Sequence, residues 1–190
     1  MKTLIISGGI GSGKSVVAAL LVRRGIPVYD CDSRSKQLYE EIPGLLGALE
    51  ERLGCPLRDA RGHLDRSALS RLIFQRQEAR ETVEALLYPA LLEDFKAWRN
   101  AREEPLVALE SAVILSKPVF DGIGDIVIWV EAPAALRLKR VRSRDALSEE
   151  AVLSRMRAQE DFSSRADYIL YNDGTLSDLE TKVGNIIDHL

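Results

Sequence analysis

The run Thr3-Leu4-Ile5-Ile6-Ser7-Gly8-Gly9-Ile10-Gly11-Ser12-Gly13-Lys14-Ser15 decides the fold. Its first five residues form a short apolar run of the kind that makes a buried parallel strand. The remaining eight satisfy G-x-x-x-x-G-K-[ST] at every fixed position. Glycines let the backbone close around a phosphate and turn its N–H groups inward. The segment 14–24 follows, with Val16, Val17, Leu20 and Leu21 at helical spacing, and a helix there aims its N-terminus at the same anion. Lys14 then reaches the β- and γ-phosphates of a nucleoside triphosphate, and the Ser15 hydroxyl is a ligand for Mg²⁺. Gly25 is placed to end the helix, and 26–29 reads as a second strand. Strand, loop, helix and strand in this order require a right-handed crossover and a parallel sheet.

Beyond the second strand the pattern changes. Residues 32–100 read as amphipathic helices at 33–41, 45–53, 66–75, 78–87 and 90–99, broken by Gly44, Gly54, Pro56 and Pro89, with a turn at Arg61-Gly62. Strands resume at 105–109, 125–130 and 168–171. A helix starts at Pro133 and runs to about 142. Ser148 caps another, with Glu149 and Glu150 in its first turn. Thr175 opens a closing helix whose buried face is Leu176, Leu179, Val183, Ile187 and Leu190. The expected architecture is an α/β P-loop NTPase three-layer core with a five-stranded parallel sheet, a helical substrate-binding insertion and a lid. The core is expected from 1–31, 101–136 and 165–190, the insertion from 32–100 and the lid from 137–164.

The chain has 190 residues, is 46% hydrophobic and 29% charged, and carries a net charge of −3. That length supports one α/β domain with insertions. An acidic balance argues against broad nucleic-acid binding. Cys31 and Cys55 have no pairing or metal-ligand spacing, which suits a reducing compartment. No apolar run reaches the ~18 residues of a membrane span, and no apolar leader with a cleavage site precedes the first strand. The expectation is a soluble cytoplasmic protein, a monomer or weak homo-oligomer, with no nucleic-acid or membrane partner.

Three further groups carry chemistry. Asp30-Cys31-Asp32 follows the second strand, at the sheet edge where open parallel sheets bind ligands. One carboxylate there can help hold Mg²⁺ and the other can accept a hydroxyl proton; the plain alternative is a helix N-cap, and Asp32 could cap the helix from Ser33 at the same time. Lys139, Arg140, Arg142 and Arg144 cluster within six positions. Arginine forks suit the charge spread over a transferring phosphoryl group, and a solvated basic face is the plain alternative. Arg140 and Arg144, four apart, share a face. Glu110 after the third strand is either a carboxylate for magnesium-bound water or a turn residue.

These residues, in this order, resemble the dephospho-coenzyme A kinases. The resemblance lies in Ser7-Gly8-Gly9-Ile10-Gly11-Ser12-Gly13-Lys14-Ser15, then Gly25-Ile26-Pro27-Val28-Tyr29-Asp30-Cys31-Asp32. It continues through 61–66 with Leu69, Ile73 and Phe74, through 140–150 with Gln159, and through Ala166-Asp167-Tyr168-Ile169 with Asn172 and Gly174. It covers essentially the whole chain. It departs at Tyr88-Pro89, where the family usually has His-Pro, and at Ser116, where many members have glutamate. The segment between Gln159 and Ala166 is also a few residues short.

The resemblance implies ATP-dependent phosphorylation of the ribose 3′-hydroxyl of dephospho-coenzyme A, with ATP and Mg²⁺ as cofactors. It makes Asp32 the general base and Arg140 a lid arginine on the transferring phosphate, with Lys14 catalytic. Gly9, Ile10, Gly11, Ser12, Gly13, Lys14, Ser15 and Val16 would hold the nucleotide, together with Arg144 and with Asn172 near the adenine. Ser15 would bind the metal, with Asp30 as a second candidate. A nucleoside or nucleoside-monophosphate kinase would share the core, but the acid pair directly after the second strand favours the first reading. A nucleotide-switched binding module usually carries a guanine-reading Asn-Lys-x-Asp or a clear strand-end Walker B aspartate, and neither is found in this chain.

Overall fold

Strand β1 (Lys2–Gly8) lies in the middle of the sheet, and six of its seven residues are buried. A strand covered on both faces needs no polar alternation, which is why its sequence reads as a continuous apolar run. The computed structural model describes residues 1–190. The other strands are β2 (Val28–Asp30), β3 (Leu106–Glu110), β4 (Ile126–Glu131) and β5 (Tyr168–Tyr171), in the order β2-β3-β1-β4-β5, all parallel. The helices in chain order are α1 (Lys14–Arg23), α2 (Cys31–Glu41), α3 (Leu45–Leu53), α4 (Arg66–Gln75), α5 (Gln77–Asn100), α6 (Ala134–Asp145), α7 (Glu149–Arg157) and α8 (Leu176–Ile187). The chain forms two compact units, one from 1–30 with 103–190 and the other from 31–102.

In the first unit, Asp125 pins the entry of β4. Its carboxylate accepts from the Thr3 N–H at 2.6 Å, and its own N–H donates to the Thr3 carbonyl at 2.8 Å. This sets Leu4 opposite Ile126 and Ile6 opposite Ile128. Helices α1 and α8 cover one face. Val17, Leu20, Leu21, Leu179 and Val183 bury against Leu4, Ile6, Ile128 and Leu170. Each such side chain contributes about 1.5–3 kcal/mol by leaving water. On the other face Ile5 and Val127 line a small cavity together with Ile114 and Phe120 from the turns after β3.

The helix ends follow the sequence signals. Gly25, at φ 78°, donates to the Val22 carbonyl and Ile26 to the Leu21 carbonyl, each at 3.0 Å, closing α1 with a Schellman pair. Thr175 and Asp178 form a reciprocal capping box at the start of α8. Ser148 accepts from the Ala151 N–H at 3.2 Å to cap α7. Leu176, expected on the buried face, is 54% exposed because it lies one turn ahead of the packed stripe that begins at Leu179.

The second unit departs from expectation at two places. The helices expected at 78–87 and 90–99 are one helix, α5, which continues through Pro89. Proline removes an i→i−4 hydrogen bond and normally ends a helix. Here Ala79, Val83, Leu87, Leu91 and Phe95, spaced by four, are all buried, and this apolar stripe holds both halves in one line while Pro89 stays exposed. The second departure is Asp32. Helix α2 starts directly after β2, so Asp32 sits in its first turn and is not the N-cap. Arg34 ties α2 to α5, with Nε and Nη2 on the Asp94 carboxylate at 3.0 and 2.7 Å and a further pair to Glu41.

Candidate active site

The loop of residues 8–13 leaves β1 where the sheet turns from β3 on one side to β4 on the other. This is the switch point at which parallel sheets open a crevice for ligands. Gly13, at φ 101°, leads into α1, and helix geometry leaves the first N–H groups of α1 without intrahelical acceptors. Those donors and the dipole make the end of the helix an anion site. Lys14 folds back over the loop, donating to the Gly8 and Gly9 carbonyls at 2.9 and 3.2 Å. Val16, also expected at the nucleotide, is 41% exposed in the first turn.

The Ser15 hydroxyl donates to Glu110 Oε1 at 3.0 Å. Glu110 is the last residue of β3, one position inside the strand rather than after it, and pairs in register with Asp30 at the end of β2. Ser15, Glu110 and Asp30 thus bring hard oxygen donors to one edge of the sheet.

The rear of the loop is held by side chains. Arg140 donates through Nη1 to the Ser12 and Gly11 carbonyls at 3.3 and 3.5 Å. Through Nη2 it donates to the Asn172 carbonyl and Oδ1, each at 3.2 Å. Asn172, only 6% exposed, donates from Nδ2 to the Ser12 carbonyl at 2.8 Å. It packs so closely that a Cβ on Gly13 would stand 2.1 Å from that nitrogen. The structure therefore joins Arg140, Asn172, Ser12 and Gly13 in one cluster. Arg144 is not part of it: it is bound to Asp145 at 2.6 Å with 64% of its side chain exposed.

Asp32 is exposed in the first turn of α2. In the same unit, burial first, and then the neighbouring Glu84, push the Tyr88 phenol well above the usual tyrosine range, with a smaller contribution from the charge on Asp32. The phenol stays protonated and donates to Glu84 at 3.4 Å. Tyr39 is likewise pushed up to about 12 by burial.

A sequence profile of the dephospho-CoA kinase family matches residues 3–178. The chain belongs to that family. A dephospho-CoA kinase from Porphyromonas gingivalis is 42% identical over 160 residues, covering 84% of this chain and 78% of its own. A crystal structure from Thermus thermophilus superposes with a TM-score of 0.85 at 35% identity, over 100% of this chain and 97% of that one. A dephospho-CoA kinase from Campylobacter jejuni shares the fold at TM-score 0.64 and 23% identity, over 99% and 96% of the two chains.

Against this dephospho-CoA kinase background, two residues at the loop went unassigned from sequence. Arg137 donates from Nε to the Ile10 carbonyl at 2.9 Å and lies so close to Gly9 that a Cβ there would stand 2.2 Å from its Nη2. Its spacing of three from Arg140 places both on one helix face, and that was the available signal. Gln159 accepts from the Ile10 N–H at 2.6 Å across 149 residues of chain. No local pattern encodes that contact.

Proposed function

We propose that this chain transfers the γ-phosphoryl group of ATP to the ribose 3′-hydroxyl of dephospho-CoA, giving CoA and ADP. The observation that carries the reading is a complete phosphate loop at the sheet's switch point in a chain whose family match spans residues 3–178. Asp32 takes the 3′-hydroxyl proton. The freed oxygen attacks the γ-phosphorus, and the bond from that phosphorus to the β-phosphate oxygen breaks to release ADP. Lys14 moves from the Gly8 and Gly9 carbonyls onto the β- and γ-phosphates. Arg140 contributes fixed positive charge from behind the loop, and Asn172 borders the adenine.

The donor set of Ser15, Glu110 and Asp30 fits Mg²⁺, which takes few protein ligands and keeps several waters. A cation held there would neutralise charge on the β- and γ-phosphates. The same reading carries a soluble cytoplasmic enzyme acting on a small molecule as a monomer or weak homo-oligomer, and no helix is long and apolar enough to cross a membrane.

The test is ADP release from ATP and Mg²⁺, with and without dephospho-CoA, for the wild type and Asp32→Asn. Release stimulated by the acceptor, with CoA accumulating, supports the reading. The folded variant should then lose about 100-fold or more in kcat. Indifference to the acceptor would sink the assignment.

A further inference from the structure

Ile10 stands apart from the rest of the loop. Its N–H donates to Gln159 Oε1 at 2.6 Å and its carbonyl accepts from Arg137 Nε at 2.9 Å. Both polar groups of one loop residue are thus taken by side chains from elsewhere in the chain, 149 and 127 residues away. Arg137 is itself held, its Nη1 lying 3.8 Å from Glu131, whose carboxylate also accepts from Trp129 at 3.0 Å. Gln159 lies two residues beyond the end of α7, at the start of the segment that leads to β5.

A backbone N–H in a tight loop must find an acceptor. In a phosphate loop the acceptor is ligand, water or protein, and at Ile10 it is a protein side chain. We infer that Gln159 is a positioning residue for nucleotide binding. By holding the Ile10 N–H it fixes the plane of the Gly9–Ile10 peptide, keeps this donor out of the phosphate cradle and ties the segment after α7 to the crest of the loop. Because the tie joins the two, anything that orders the loop orders the segment, and the reverse holds with equal strength. Removing the acceptor lets the Gly9–Ile10 peptide rotate, so that ATP must order it on binding.

The inference rests only on the ATP half of the proposed function. Two variants separate it from a general packing role: Gln159→Met keeps the length and removes the acceptor, and Gln159→Glu keeps an acceptor oxygen. The first measurement is hydrogen exchange of the Ile10 amide in the ligand-free protein. The second is ATP affinity with Mg²⁺ by calorimetry in the absence of any acceptor substrate.

Exchange at Ile10 is expected to quicken by about five- to tenfold in Gln159→Met, the loss of one hydrogen bond. ATP affinity should fall by a similar factor, and the melting temperature should stay close to wild type. Gln159→Glu should restore protection at Ile10. In turnover assays, KM for ATP should rise in Gln159→Met while KM for the acceptor stays within about twofold. Unchanged Ile10 exchange in Gln159→Met, or quickened exchange with unchanged ATP affinity, overturns the inference. A wild-type chain that binds ATP but ignores dephospho-CoA overturns the acceptor assignment and leaves this test intact.

Discussion

Replacing Pro89 with alanine should make the protein more stable. In a helix interior proline costs about 3 kcal/mol relative to alanine, through the lost N–H donor and the clash of its ring with the preceding turn. About 0.5–1 kcal/mol of this returns in the wild type because proline restricts the unfolded chain. The ring of Pro89 is exposed, so its removal gives up little buried area, and the apolar stripe of Val83, Leu87, Leu91 and Phe95 is untouched. The net gain is about 2 kcal/mol, which for a chain of this length raises Tm by about 4–8 °C. Thermal unfolding by calorimetry measures it, and hydrogen exchange at residue 89 should show a new protected amide. A Tm at or below wild type would refute the reasoning, because it would mean the helix has adapted to the proline so fully that alanine no longer fits better.

Three other perturbations test separate parts of the structure. Gly13→Ala places a methyl where Asn172 Nδ2 stands and adds about 1–2 kcal/mol for a side chain at positive φ. It should abolish ATP binding by calorimetry, whereas Gly25→Ala, with nothing within 4 Å, should leave binding intact. Glu110→Gln should raise the Mg²⁺ concentration for half-maximal activity by about tenfold, and an unchanged Mg²⁺ titration would remove Glu110 from the cation site. His63 and Glu40 form an exposed pair 3.0 Å apart, with the imidazole pKa raised above 6.5 and the carboxyl lowered below 4.5, each mainly by the hydrogen bond between them. The imidazole's share of stability is full below pH 6.5 and lost as pH rises through its folded value. The carboxylate's share is full above pH 4.5 and lost as pH falls, so the pair is strongest between these limits. An NMR titration of His63 should move toward the ordinary value in Glu40→Gln.

The parts of this molecule that were legible in sequence are those governed by local rules. The buried strands announced themselves as short apolar runs, Gly25 and Thr175 marked helix ends, and Gly8 to Ser15 carried the phosphate loop by spacing alone. Pro89 misled because a local rule was applied where packing decides. The four-residue spacing of Ala79, Val83, Leu87, Leu91 and Phe95 runs through it and was the stronger signal. The cap alternative for Asp32 falls away because β2 passes into α2 without an intervening loop. At the site, the carbonyl side of the phosphate loop was not readable. Its holders, Arg137, Arg140, Gln159 and Asn172, are fixed by tertiary contacts across more than a hundred residues. A basic helix face looks the same from sequence whether it meets solvent or backbone.

The central place of β1 bears on how the chain is made. Neither of its neighbours in the sheet follows it directly, since β3 and β4 come after the whole helical unit. Asn172, which pins Ser12, lies 160 residues further on. At synthesis rates of roughly 5–20 residues per second, the loop emerges roughly 10–30 s before its last brace. Its sheet partners β3 and β4 are made within that interval, but the glycine-rich segment still lacks its rear wall, and the residues that bind phosphate gain their full support only once β5 and the residue that follows it have been added.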